Sequence, residues 1–439
     1  MNTKYPSITK SNEWFKRSQG LIPSYTQTLA KGPTQYVNGV APKFLVSGEG
    51  AHVWDADGNE LIDFNMAIGP VSLGYKYPRI DNAIRRALED GISFSLVHPL
   101  EVQLSELIRE VVPNAECVRI SKTGADVTSA AIRVARACTG KDKILCCGYH
   151  GWHDWYIGTT PRGFGVPQAI KDLVHTFNYN DIDSVADSID GDTACVILEP
   201  MVFEEPKNNF LQRLRALCNE RRVLLIFDEM WTGFRFALGG AQEYFGVTAD
   251  LACYSKAVAN GMPISILAGK AEFMNILNDK VFFYTTFGGE TLSIAAAIAT
   301  IREMREKDVI SSIASKGALI KKGLSALIEK NGLENTVSCT GHPARTIVNF
   351  AAGTSDPLLC KSYIQQELIR SGILWSGYHN MCFSHSKNDI EHLLDAYAEI
   401  LPRFRKHFDG GMLQGQLRGE PVQPVFRRTQ DFNTKPLAR

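Results

Sequence analysis

The stretch Arg222–Gly261 reads RVLLIFDEMWTGFRFALGGAQEYFGVTADLACYSKAVANG. It opens with an apolar run that stops at two acids, Asp228 and Glu229. It closes with a second apolar run that delivers Ser255 and Lys256 into a glycine-containing turn. Short apolar runs bounded by turn signals read as fully buried strands. In open α/β sheets, ligands bind just beyond the carboxyl ends of such strands. The stretch therefore places a carboxylate and an amine at the ends of two buried strands, both facing one crevice.

The surrounding chain supports that sheet. Strands are expected at Cys117–Ser121, Lys143–Cys147, Ala194–Leu198 and Val223–Phe227. Between and beside them, helical spacing marks Pro78–Asp90, Pro99–Val111, Asp126–Thr139, Phe210–Arg221 and Leu292–Arg305. Alternating strands and helices imply crossover units and a mostly parallel central sheet flanked by helices. Upstream, Asp57-Gly58 joins two alternating runs and predicts a hairpin with a type I′ turn. Helices at Ile313–Lys330, Ser362–Ser371 and Lys387–His407, with a strand at Arg345–Phe350, suggest a smaller α+β domain. The expected divisions are an N-terminal segment with hairpin (1–75), a large domain (76–312), a small C-terminal domain (313–409) and a polar tail (410–439).

Composition narrows the function. Forty-seven basic and 47 acidic side chains cancel in 439 residues, which leaves no electrostatic footprint for nucleic acid or an anionic membrane. Ten cysteines are scattered without metal-ligand spacing, a pattern that suits a reducing cytoplasm. The N-terminus has no apolar core of a signal peptide, and no stretch approaches the roughly 20 apolar residues of a membrane span. His150, His153 and Asp154 could bind a metal, but nothing elsewhere supplies a matching ligand set, so no metal is expected.

Lys256 alone would read as a surface charge. At a buried strand end it becomes a usable amine nucleophile. Asp228 could merely cap a turn; beside a pyridinium nitrogen it would keep the ring an electron sink. Lysine and aspartate together suggest pyridoxal 5'-phosphate (PLP). Ser121–Asp126 sits between a strand and a helix, where Gly124 lets backbone N–H groups approach an anion. Thr285–Glu290 is a second glycine turn with hydroxyl donors. Tyr149–Trp155 offers rings that can stack on a flat cofactor.

These motifs in order, HVWDADGNELIDF, RISKTGADVTSAAIRVARACTGKDKI, GYHGWHDW, ILEP, LLIFDEMWTGFR, ACYSKAVANGMP and TTFGGETLSIAAA, resemble the class III aminotransferases of PLP fold type I. The closest likeness is to the glutamate-1-semialdehyde aminomutase-like branch. The resemblance implies that Lys256 carries the cofactor and shuttles a proton, and that Asp228 pairs with the pyridine nitrogen. It implies that Met230 and Tyr149 cover the two ring faces, and that Glu199 lies near the phenolic side. Gly124 and Ala125 match a phosphate-binding glycine–threonine pair. Thr286 matches a threonine that reaches the phosphate across a dimer interface, which implies a homodimer with shared active sites.

The departures bear on substrate. Lys31 stands near an arginine that binds the substrate carboxylate in the aminomutase, and a lysine lacks the bidentate fork. No arginine appears near Tyr378–Met381, where ω-aminotransferases often carry one, which leaves His379 as a substrate candidate there. Glu204 occupies the place of the acid that masks that arginine. Further likeness to a subgroup of surface-polysaccharide pathways favours a sugar-like or other polyol carbonyl acceptor. The main expectation is an aminotransferase acting on a small-molecule donor and acceptor. The alternatives are an intramolecular aminomutase, a decarboxylase or lyase on the same fold, and an inactive PLP-fold binding protein.

Overall fold

The computed structural model describes residues 4–201, 203–351 and 356–424. The chain divides into two compact units. One is built from the described residues of 1–77 and those after 310, the other from 78–310.

The first unit begins with an antiparallel meander of β1 (Leu45–Glu49), β2 (His52–Asp55) and β3 (Glu60–Asp63). The β2–β3 turn departs from type I′, because only Gly58 adopts a left-handed φ, at 91°. The Asp55 carboxylate explains the difference. It accepts the backbone N–H groups of Asp57 at 2.9 Å and Asn59 at 2.8 Å, which fixes a three-residue loop that needs one glycine rather than two left-handed residues.

The second unit holds seven strands: β4 (Cys117–Ser121), β5 (Lys143–Cys147), β6 (Val174–Thr176), β7 (Thr193–Leu198), β8 (Leu224–Asp228), β9 (Leu251–Tyr254) and β10 (Ser265–Gly269). Their order across the sheet is β4-β10-β9-β8-β7-β5-β6. Strands β5 to β9 pair in parallel, while β10 runs antiparallel to both β4 and β9. Every residue of β7, β8, β9 and β10 is buried, as expected of strands covered on both faces. The helix Gly124–Thr139 packs Val127, Ala131 and Val134 into the same core as Ile197, Ile226 and Leu267. Each valine, isoleucine or leucine among them contributes about 1.5–3 kcal/mol by leaving water.

The C-terminal part of the first unit adds β11 (Val337–Thr340), β12 (Arg345–Phe350), β13 (Ile373–Leu374) and β14 (Tyr378–Asn380). β13 extends the N-terminal meander, pairing in parallel with β3, and β11-β12-β14 form a separate antiparallel sheet. The described part of the tail folds back onto the N-terminal segment through an Asn38–Glu420 bridge and a bond from Gln423 N–H to the Thr34 carbonyl. The expected tail beyond residue 424 lies outside the described residues. Among the described residues, no helix is long and apolar enough to cross a membrane.

Candidate active site

Four neighbouring strands of the seven-stranded sheet carry the site. At their carboxyl ends, β9 leads into Lys256, β8 ends on Asp228, β7 is followed by Glu199, and β5 by Gly148, Tyr149 and His150. Parallel pairing brings these ends to one edge, so residues distant in sequence meet there.

Asp228 is buried, and both of its oxygens are oriented. Oδ2 accepts from His150 Nδ1 at 2.8 Å, and Oδ1 accepts the Met230 N–H at 3.0 Å. With the carboxylate as acceptor, the ring proton of His150 is assigned to Nδ1. His150 is itself tightly held. Its carbonyl accepts from Thr128 Oγ1, Trp155 stacks on its ring at 6.0 Å, and Tyr156 meets the ring edge-on. Its Nε2 is buried with no hydrogen-bond partner among the described residues. A carboxylate can accept about four hydrogen bonds, so Asp228 retains capacity for a further N–H donor.

Glu199 is buried beside it. Its Oε1 accepts the Tyr149 N–H at 2.7 Å. Gly148 is required there: a Cβ on its left-handed backbone would stand 2.8 Å from that oxygen. Burial first, then the charge of Asp228, pushes the Glu199 carboxyl above its ordinary range, while the Tyr149 N–H, His150 and Lys256 pull it back. The Tyr149 hydroxyl is also pushed up, by burial and by the same two carboxylates. The residue is 42% exposed.

Lys256 begins a single 3₁₀ turn, Lys256–Ala259, with a left-handed φ of 41°. The preceding Ser255 fastens the turn by donating from Oγ to the Ile264 carbonyl at 2.6 Å. A non-glycine residue in this region costs about 1–2 kcal/mol, the kind of strain that clusters at functional sites. The Lys256 Nζ lies 3.9 Å from the ring centroid of Trp231.

The anion-binding end is the helix Gly124–Thr139. Thr123 and Asp126 form a capping box, and Asp126 also accepts from Ser121 Oγ at 2.8 Å. Burial raises the Asp126 carboxyl, but bonds from the Thr123 N–H, Ser121 Oγ and the Lys122 N–H outweigh it and hold the group below its usual range. A Cβ on Gly124 would stand 2.9 Å from Met230 Sδ, and one on Gly151 would stand 2.7 Å from the Ala125 Cβ. Met230, Gly124, Ala125 and Gly151 therefore interlock around the helix N-terminus, where the backbone dipole favours a phosphate.

The remaining sequence candidates make other contacts. Thr286 is exposed on its loop beside exposed Tyr284 and Phe287. Glu204 pairs with Lys207 at 2.5 Å. Lys31 is exposed at the end of a 3₁₀ turn in the other unit. His379, also in that unit, is fully buried, with Nδ1 at 2.8 Å from Thr346 Oγ1 and Nε2 at 3.0 Å from the Tyr397 hydroxyl. Both of its nitrogens are occupied inside that core. His153, weighed as a metal ligand, shares a 2.7 Å hydrogen bond with Ser129. Sequence reasoning missed His150 as the partner of Asp228, although it adjoins Tyr149 in GYHGWHDW.

The set suits PLP: an amine at a strained turn, an oriented carboxylate with capacity left, a partly exposed tyrosine and a glycine-opened helix N-terminus. Comparison with known proteins agrees. A profile of the family described as Aminotransferase class-III matches residues 36–342. The 3-aminobutyryl-CoA aminotransferase of Cloacimonas acidaminovorans is 36% identical over 91% of this chain and 98% of its own length. The glutamate-1-semialdehyde 2,1-aminomutase of Acetivibrio thermocellus is 38% identical over 73% of this chain and 80% of its own. The PLP internal aldimine form of the FumI protein from Sphingopyxis sp. MTA144 superposes with a TM-score of 0.85 at 28% identity, covering 94% of this chain and 99% of that one.

Proposed function

The chain belongs to the class III aminotransferases, and on that premise we propose that it moves an amino group between two separate molecules, from an amino donor to a carbonyl acceptor. It is a PLP-dependent enzyme of fold type I. The observation that carries the assignment of roles is the His150–Asp228 pair at 2.8 Å on the strand end next to Lys256.

PLP, when bound, supplies an aldehyde that condenses with amines and a ring that withdraws electrons from the neighbouring carbon. The protein supplies the rest. Asp228, oriented by His150 and by the Met230 N–H, would hold a proton on the ring nitrogen. Lys256 Nζ removes a proton from the donor carbon and returns it at the other end of the transfer. Tyr149 and Met230 would bracket the ring, and the N–H groups at Gly124 and Ala125 would hold the phosphate. In the second half of the cycle the same lysine serves the acceptor.

Transfer between two molecules is favoured over the intramolecular aminomutase by the sequence at Lys31, which stands near the position of the aminomutases' carboxylate-binding arginine and lacks its bidentate fork. The relative matching along 91% of the chain also carries an aminotransferase name. For the acceptor we propose a hydroxylated, sugar-like carbonyl, with Glu204 as a hydrogen-bond partner. The working form is a cytoplasmic homodimer in which Thr286 completes the partner's phosphate site. Ten free thiols and the exposed Phe282, Tyr284 and Phe287 around Thr286 support that reading.

The test loads the enzyme with the amino group and offers one acceptor at a time without external donor. Keto-sugars and glutamate-1-semialdehyde are the acceptors, and 3-aminobutyryl-CoA is tried as donor in parallel. A single turnover that stops until donor is added is the expected result. Continuous turnover of the semialdehyde without donor would establish the aminomutase instead.

A further inference from the structure

The loop that follows β8 carries a residue to which the proposed chemistry assigns no role. Trp231 comes directly after Met230, and its indole face lies 3.9 Å from Lys256 Nζ. The loop is anchored on both sides of the ring. Asp228 takes the Met230 N–H just before it, and the buried Glu229 carboxylate accepts from Thr232 Oγ1 and from the N–H groups of Ala241 and Gln242 beyond it. Gly233 closes the turn by donating its N–H to the Glu229 carbonyl at 2.8 Å, and a Cβ there would stand 2.4 Å from the Tyr254 ring. The indole is thus presented by a braced loop to a lysine on a strained turn.

We propose that Trp231 is a positioning residue for Lys256, its indole face holding the amine in place and favouring the ammonium formed when the lysine accepts a proton. The inference rests on the reading of Lys256 as the proton-transfer lysine. In that step the lone pair of the amine takes the proton from the substrate carbon, the C–H electron pair stays with the substrate, and the nitrogen becomes a cation. An aromatic face attracts that cation and not the neutral amine, and tryptophan has the strongest such face. The ring therefore favours the protonated form of the amine.

The other ionisable groups around the amine are identifiable. Glu199 senses the charges of Lys256, Asp228 and His150, and Tyr149 senses Asp228 and Glu199. Cys253 and Tyr254, on the strand leading to the lysine, are held protonated by burial. The helix Thr291–Glu306, packed behind the Lys256 turn, is uncharged from Thr291 to Ile301. The carboxylates also favour the ammonium, so the variants must change the ring alone.

Trp231→Phe and Trp231→Leu are compared with wild type in the full-length, cofactor-free chain. The rate at which acetic anhydride labels Lys256 is followed against pH by mass spectrometry. From the strength of a partly desolvated cation–aromatic contact, Trp231→Leu is expected to lower the Lys256 pKa by about 0.4–1.5 pH units. Trp231→Phe is expected to lower it less. In the loaded enzyme, the acid limb of the kcat profile should move to lower pH in the same order. A Lys256 pKa that is unchanged or raised in both variants overturns the proposal, as does a lowered pKa with an unmoved kcat profile. The labelling reads the amine without cofactor or substrate, so its outcome is separate from whether the chain transfers amino groups.

Discussion

Each unit of this protein buries a histidine against oxygen partners, and the two are built for opposite ends. His150 gives Nδ1 to Asp228 and leaves Nε2 buried without a partner among the described residues. His379 has both nitrogens engaged, by Thr346 and Tyr397. Burial first, then its neighbour His385, drives His379 down to a pKa of about 3. A closed network of this kind rigidifies a core and offers nothing outward. The pair at the strand ends is left open on the carboxylate side. A buried histidine is therefore not a functional signal by itself; the unfilled hydrogen-bond capacity of its partner is.

Four substitutions bear on that contrast. Lys256→Ala should have the largest effect. Loss of proton transfer alone is worth about 10²–10⁴-fold in kcat, and the chain should remain folded by circular dichroism; wild-type turnover would remove the lysine from the mechanism. His150→Phe should come next. Without its N–H the Asp228 carboxylate is less well held, and PLP affinity measured by equilibrium dialysis should fall about 10–10²-fold. If His379→Phe weakens PLP equally, the distinction between the two histidines fails.

The other two substitutions sharpen the contrast through pH. Burial pushes Glu229, on the same strand end as Asp228, up to about 7 despite its bonds to Thr232, Ala241 and Gln242. A carboxyl raised in this way favours the fold below its unfolded pKa of about 4.5, and the contribution is lost as pH rises through 7. Urea unfolding should register that loss as about 3 kcal/mol in a background without the opposing His379 contribution, and Glu229→Gln should abolish it. His379 acts in the opposite sense. Its depressed pKa stabilises the fold above about 6.5, and about 2–3 kcal/mol should disappear as pH falls to 4.5. That loss should stand out in Glu229→Gln, and His379→Phe should remove it while leaving kcat per folded molecule unchanged. The two slopes offset in the wild type, so a Glu229→Gln curve that does not fall toward pH 4.5, together with a His379→Phe curve that does not fall toward pH 7, would contradict both assignments.

Much of this architecture was legible in sequence because burial writes itself in apolar runs. The strands Cys117–Ser121 and Lys143–Cys147 and the helices Pro78–Asp90 and Phe210–Arg221 have the bounds their periodicity predicts. Strand direction is different, since a buried run such as Ser265–Gly269 carries no sign of which way it pairs. The antiparallel β10 therefore appears only in the structure. The Asp57-Gly58 hairpin was legible, but its turn type was decided by the Asp55 side chain, a tertiary detail. At the site, Lys256 and Asp228 stood out because charges at buried strand ends are conspicuous. His150 did not, because its partner lies 78 residues away and meets it only through the sheet.

The contact between Ala125 and Gly151 also constrains how the site can be re-engineered. A side chain at 151 would collide with Ala125, and Gly151 already adopts a φ of 105° that other residues rarely tolerate. Installing threonine at 125, to give the phosphate cradle a hydroxyl, adds atoms on the very side where the glycine presses. Positions 125 and 151 thus form one design variable. A library that randomises them separately would sample mostly dead combinations, whereas one that moves the 148–151 turn together with residue 125 could reach a new cradle.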